Sequence, residues 1–500
     1  MRRKRTIYFD DARHYYLYLF DPPMTMEEAW LPVDQVAGTA VDTFIYGVAC
    51  GGLFYPSKVG KQFGELSRPF KGEYSAAYWS AWTNMQGLIN QGLDPLTVLI
   101  DRAHEKGMDF IASVRMGLAL PEQGSGGDDG IDLALKVSEG GRGFVHAEIR
   151  DYLFAVLEEV ATQYAAEGVE LDFSAAPIAL DRYFRPEDVA EHTPVMTEYV
   201  GKIAEMVRGR PSGRGVLGAR VYPTEQINLD HGLDVRAWLE QGLVDFVVPM
   251  FYHPSLLDPD MPIDWIVETA HQHDVSVYGF LHPDFRDESR RFHTREYATT
   301  TMLRAAAANF YDKGVDGLYT CSLPWPLGHS ERGLLTELGD PARLRDGDKH
   351  YYLRRRDTDT AEMGYVVTLP LQIPQAEPGK LYAIPFYVAD DIEAEAYRIR
   401  RVTLKVNVFD LVSADRLTFQ LNGRSLAGEA CLRSASSRLE PYYGQWLEFH
   451  LDAVRPRKGD NVLEVSLDER PPELEAGIRI DDVEIIIEYG HYPSGLMSTP

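Results

Sequence analysis

Over the first two thirds of the chain, short runs rich in Val, Ile, Phe and Tyr alternate with longer stretches whose apolar residues recur at helical spacing. The runs fall at 6–10, 41–48, 108–115, 168–173, 215–222, 244–252, 275–282 and 315–321. Helices are expected between them, near 95–106, 146–166, 262–273 and 294–313 among others. Thr25, followed three residues later by Glu28, is a capping box that opens the first. Eight strand–helix units in succession predict a (β/α)8 TIM barrel over 1–345. A doubly wound open sheet is the alternative, and it fits less well because no Gly-x-Gly-x-x-Gly turn follows the first strand.

Beyond that region the pattern changes to alternating strands without helices, at 365–371, 381–388, 401–408, 416–421, 445–451, 461–467 and 478–489. Asn422-Gly423 is a hairpin signal. Together they predict an antiparallel, jelly-roll-like β-sandwich over 364–490, joined by a linker at 346–363 and followed by a tail at 491–500. Arg354-Arg355-Arg356 in that linker reads as a solvated or interdomain surface. One excursion, from 49 to 84, is long and aromatic, with Tyr55, Trp79 and Trp82 among its rings, and a glycine-rich loop lies near 124–130.

A formal net charge of −26 and a pI near 4.9 exclude a nucleic-acid or anionic-membrane surface, since those partners need clustered Lys and Arg. Neutral or cationic small substrates remain open. No run reaches the ~18 apolar residues of a membrane span. The opening Met-Arg-Arg-Lys-Arg is followed by Thr-Ile-Tyr-Phe-Asp-Asp, too acidic for the apolar core of a signal peptide. A cytoplasmic protein is therefore expected, or a periplasmic or secreted one if a leader has been removed. Cys50, Cys321 and Cys431 have neither disulfide nor metal spacing and read as free thiols, and no cofactor or metal motif is present.

The candidate chemistry centres on Gly168-Val169-Glu170-Leu171-Asp172-Phe173. The pleat sends Glu170 and Asp172 to one side of a strand and Leu171 and Phe173 to the other. Buried carboxyls on an apolar strand are either used or paired, so a structural ion pair inside the barrel competes with a catalytic reading. The working face of such a barrel lies at the carboxyl ends of its strands. That rule collects Asp10 and Asp11, Arg115, Arg220 and Tyr222, Tyr252 and His253, His282 and Asp284, and Cys321 and Trp325. Parity places Arg220 and Tyr222 on the face shared with Glu170 and Asp172. Two flanking arginines would hold one carboxyl ionised and leave the other free to be raised, the split that general acid and base work requires. His253 and His282 read as hydrogen-bonding walls, and Asp10 as a residue that caps its loop or binds substrate. Tyr55 and Trp79 read as rim aromatics whose flat faces suit sugar rings.

These residues also carry a resemblance. The stretch 168–173, together with Ser113-Val114-Arg115-Met116, Tyr55-Pro56-Ser57-Lys58-Val59-Gly60, Gly232-Leu233-Asp234-Val235, Gly242-Leu243-Val244-Asp245 and Gly314-Val315-Asp316-Gly317-Leu318-Tyr319, resembles bacterial glycosyl-hydrolase-like, family-10-like barrel proteins. That family carries a C-terminal β-sandwich, and the resemblance implies sugar chemistry without naming the sugar. Related sequences continue the arginine motif with Met-Asn-Asp, whereas here Gly117 and Leu118 follow Met116. The central strand is also similar to the chitinase Asp-x-Asp-x-Glu pattern, but Ser174 stands where the terminal acid would be.

The expected function is a glycoside hydrolase acting on an oligo- or polysaccharide. Asp172 is the expected general acid and Glu170 or Asp284 the second carboxylate. Arg115 and Arg220 orient them, and Asp10, Tyr55, Trp79, Tyr222, Tyr252, His253, His282 and Trp325 bind substrate. A carbohydrate-binding protein on a barrel that has lost its acid, and a lyase or isomerase acting on a uronate, are the alternatives. The sandwich could support the barrel, bind sugar or mediate homo-oligomers.

Overall fold

The computed structural model describes residues 3–11, 16–49, 52–65, 68–71, 75–116, 143–174, 183–252, 256–286, 296–435 and 444–490. Eight parallel strands close into a barrel: β1 (Arg5–Asp11), β2 (Thr43–Ala49), β3 (Asp109–Arg115), β4 (Gly168–Asp172), β5 (Val216–Val221), β6 (Phe246–Pro249), β7 (Ser276–Leu281) and β8 (Gly317–Cys321). Closure comes from β1 pairing with both β2 and β8. Helices follow the strands, including Pro95–Glu105, Ala147–Gln163, Val189–Arg208, Asp264–Gln272 and Thr300–Asp312. The capping box at Thr25 and Glu28 forms as its spacing requires, opening the helix Met26–Asp34. The aromatic excursion is not all loop, because Ser75–Asn90 within it is helical. The glycine-rich loop near 124–130 lies outside the described residues.

Strand parity divides the barrel's apolar residues into two cores. Ile7, Phe9, Ile45, Ile111, Phe246, Val248, Tyr278, Phe280 and Tyr319 fill the interior. Their neighbours in sequence, such as Tyr8, Phe44, Leu171, Leu217, Val277 and Leu318, pack against the helices. The interior is therefore plugged by side chains worth roughly 1.5–3 kcal/mol each on burial. Phe246 fills its share of the plug only because residue 218 is glycine. A Cβ there would stand 1.9 Å from the Phe246 ring.

The C-terminal region folds as two antiparallel sheets. One joins Lys349–Tyr352, Ile478–Tyr489, Ile399–Phe409, Gly444–His450 and Ala430–Ala435, with Leu371–Ile373 added on Ile478–Tyr489. The other joins Tyr382–Val388, Gly459–Glu469, Arg416–Leu421 and Arg424–Ser425. Lys349–Tyr352 falls in the stretch read from sequence as a linker, yet it pairs along Ile478–Tyr489. The strand expected at 365–371 is displaced to Leu371–Ile373. Ala305 of the helix Thr300–Asp312 joins the sandwich core, and the buried Asn309 of that helix bonds Tyr387 O and the Ala389 amide. Barrel and sandwich thus share one packed boundary.

Candidate active site

β4 carries Glu170 and Asp172 into the interior, and both are fully buried. β5 runs beside it with Asp172 opposite Arg220. The guanidinium of Arg220 lies 2.9 Å from Glu170 Oε1 and 3.0 Å from Asp172 Oδ2. It also donates to Ser113 Oγ at 2.8 Å and sits 4.2 Å over the Phe9 ring. Ser113 donates to Glu170 Oε1 at 2.8 Å, and the Tyr319 hydroxyl donates to the same oxygen at 3.3 Å. Burial raises the Glu170 carboxyl above its ordinary range. Arg220 opposes the rise, Asp172 adds to it, and Ser113 and Tyr319 oppose it. Burial works against the Arg220 charge, and Asp172 and Glu170 more than offset it.

Nearer the mouth, Arg115 closes β3. It pairs with Asp11 of β1, hydrogen-bonds the Tyr252 hydroxyl and lies 4.6 Å from the centre of the Tyr252 ring. Its Nε is 3.9 Å from Asp172 Oδ2. Gly47, opposite Asp11 on β2, leaves room for that carboxylate, since a Cβ there would come within 3.1 Å of Asp11 Oδ1. Asp172 Oδ1 accepts from the Ser174 amide at 3.1 Å and its hydroxyl at 3.0 Å. Both oxygens of Asp172 are thus met by donors or cations.

Asp284 lies in the short strand Asp284–Arg286 after β7, and its carbonyl accepts from the Leu257 amide at 2.6 Å. Asp284 and Asp11 both act on Cys321 at the end of β8, whose thiol burial pushes up to about 12. Among the described residues, the buried carboxyls grouped at these strand ends (Asp11, Glu170, Asp172, Asp284) outnumber the buried guanidiniums (Arg115, Arg220), and none of the six is more than 4% exposed. Of these acids Glu170 is pushed up as described, and Asp10, beside Asp11 on β1 but outside the group, is raised by burial and then by Asp11. The cluster is therefore buried and acid-rich, and burial there works against full ionisation of its carboxyls.

The sequence-expected residues distribute unevenly around it. Glu170, Asp172, Arg115, Arg220 and Tyr252 meet, and His282 is buried at the end of β7 with its ring 4.5 Å from Phe280. Asp10 has the parity of Tyr8, on the helix-facing side of β1, whereas Asp11 has that of Phe9 and reaches Arg115. Tyr222 packs among Phe251 and His231 in the outer core rather than on the carboxylates, because the chain leaves β5 after Val221. Tyr55 is wholly buried, and its hydroxyl donates to Glu159 of the helix Ala147–Gln163 at 3.1 Å. Ser57 Oγ and the Lys58 amide join it on that carboxylate at 2.5 and 2.7 Å. Trp79 is 52% exposed on the helix Ser75–Asn90, and Trp325 meets Phe20 with ring centres 6.1 Å apart. His253 lies outside the described residues. Ser113, Ser174 and Tyr319 were not singled out as ligands of the acids. Ser113 and Tyr319 share the inward parity of Arg115 and Cys321, the one sequence signal that could have found them.

No grouping of three or more His, Cys, Asp or Glu side chains is arranged to hold a metal ion among the described residues. No helix among them is long and apolar enough to cross a membrane.

The sequence matches no family model and no curated protein. Solved structures with a similar course of chain include α-L-fucosidase isoenzyme 2 from Paenibacillus thiaminolyticus, at 14% identity and a TM-score of 0.43 over 69% of this chain and 49% of that one. A cycloisomaltooligosaccharide glucanotransferase from Paenibacillus sp. is similar at 9% identity and a TM-score of 0.32, over 95% of this chain and 57% of that one. An α-L-fucosidase from Vibrio sp. strain EJY3 is similar at 12% identity and a TM-score of 0.37, over 96% of each chain. The chain thus spans about half the length of the first two of these proteins.

Proposed function

We propose that this protein is a glycoside hydrolase-like enzyme that cleaves an O-glycosidic bond in an oligo- or polysaccharide at the carboxyl end of the barrel. The observation that carries the reading is the excess of buried carboxyls over guanidiniums at that end, where burial raises Glu170 and Arg220 is shared between Glu170 and Asp172. Glycoside hydrolysis needs one carboxyl that gives a proton and one that acts as carboxylate. Glu170, enclosed by Arg220, Ser113 and Tyr319 a layer below the mouth, sets the charge balance beneath the reacting pair. Asp172, with two donors on Oδ1 and the Arg220 guanidinium at Oδ2, suits the carboxylate role, and Asp284, in the short strand after β7, is its partner. Arg115, held by Tyr252, orients Asp172.

A second reading, a carbohydrate-binding barrel without turnover, is favoured by Ser174. It occupies the place of a terminal acid and spends both its amide and its hydroxyl on Asp172. A screen of defined oligosaccharides with product analysis, run on the wild type and on Asp172→Asn, separates the two. An enzyme loses turnover in the variant with little change in affinity. A binder shows no product with either protein and binds its ligand through both.

A further inference from the structure

We propose that the segment leading into the sandwich, Tyr352 to Tyr365, is a buttress that positions both Tyr252 and Asp284 from outside the barrel. Each of these residues faces the chamber, while the residue beside it in sequence packs the other way, onto this segment. Phe251 lies against Tyr365, ring centres 4.9 Å apart, and under the Arg354 guanidinium at 5.5 Å. Phe285 meets Tyr352 edge-on at 5.0 Å. Phe251 and Phe285 are the immediate chain neighbours of Tyr252 and Asp284, so holding their rings restricts the backbone from which Tyr252 and Asp284 project.

The buttress is locked to the barrel by a buried ionic knot. Arg354, 5% exposed at its side chain, lies 3.4 Å from Asp258 Oδ2 and 2.9 Å from Asp357 Oδ2. The Tyr365 hydroxyl donates to Asp258 Oδ2 at 2.6 Å. Asp258 follows directly on Leu256 and Leu257, which bridge to the backbone of Asp284. One carboxylate therefore ties the strand-six exit, the strand-seven exit and the C-terminal region into a single unit. Arg354, Asp258 and Tyr365 are positioning residues, and this role holds whichever reaction the chamber performs.

Cys321 reports on the arrangement, because it sits at the end of β8 beside Asp284 and Asp11. The test is the rate of Cys321 alkylation by a small maleimide in the full-length protein carrying Cys50→Ser and Cys431→Ser, well below the melting temperature. Tyr365→Phe removes only the hydroxyl that Asp258 accepts, and Arg354→Met removes the guanidinium with similar bulk. Loss of a hydrogen bond to a buried carboxylate should speed labelling about tenfold through local opening. Leu447→Ala, in the sandwich core away from the knot, serves as a control matched for loss of melting temperature and should leave the rate unchanged. The proposal is overturned if Tyr365→Phe leaves the rate as in the parent, or if Leu447→Ala raises it equally. No substrate enters the measurement, so an absence of glycosidase activity leaves its outcome readable.

Discussion

Arg220 and Glu170 meet at 2.9 Å with their side chains 1% and 0% exposed, one layer below the barrel mouth. A guanidinium taken so far from water is tolerated only because two carboxyls, a serine hydroxyl and the Phe9 ring surround it. The pair is the electrostatic keystone of the chamber, and it can be dismantled one charge at a time.

Arg220→Met leaves Glu170 and Asp172 buried together without their shared cation. Equilibrium unfolding in urea at neutral pH should show a loss of about 3–5 kcal/mol. The double variant with Glu170→Gln should recover part of it. A single variant as stable as the wild type would mean that the pair contributes nothing.

Asp10 makes stability depend on pH. Among the described residues neither of its buried oxygens has a hydrogen-bond partner, and burial, then Asp11, raises its carboxyl well above the usual range. The folded state thus holds a proton that the unfolded chain releases near pH ~3.9. That stabilisation is complete below this value and is lost as pH rises through the folded-state value. Asp10→Asn, which cannot ionise, should flatten the decline and melt higher than the wild type at neutral pH. Parallel melting curves from pH 4 to 8 check it, and equal slopes for the two proteins would refute the assignment.

Gly218→Ala drives a Cβ into the Phe246 ring at the interior plug. Overpacking of this kind costs about 1–3 kcal/mol, and a compensating Phe246→Leu should restore much of it. Thermal unfolding of the single and double variants decides whether that contact governs the core.

Glu159→Gln weakens the carboxylate that Tyr55, Ser57 and the Lys58 amide share. Trypsin cleavage after Lys58 or Lys61 should then accelerate several-fold, since loss of one charged hydrogen bond is worth about 1.5–3 kcal/mol. Unchanged cleavage would mean that the loop is held by its rings alone.

The barrel was legible because its signal is local and repeated. Each of β1 to β8 falls within a few residues of an apolar run, and the turn to sandwich is marked by a change of period. The Glu170, Asp172, Arg115 and Arg220 cluster was legible for a related reason, since parity and strand order suffice to say which side chains share a barrel interior. Parity also errs past the end of a strand. Tyr222 lies just past the end of β5 and turns outward, whereas at the end of β1 parity holds, and Asp11, on the face of Phe9, is the carboxylate that reaches Arg115.

By itself the sequence determined the alternation of strands and helices, the acidic balance and the pair of carboxyls on β4, because each follows from spacing along the chain. Only the tertiary structure decided that Tyr55 anchors a loop to Glu159, that Lys349–Tyr352 belongs to the sandwich sheet, and that Arg354 knots that region to Asp258. Those relationships join residues far apart in sequence, and a hydrogen-bond donor carries no mark of which distant acceptor will satisfy it until burial leaves it a single choice.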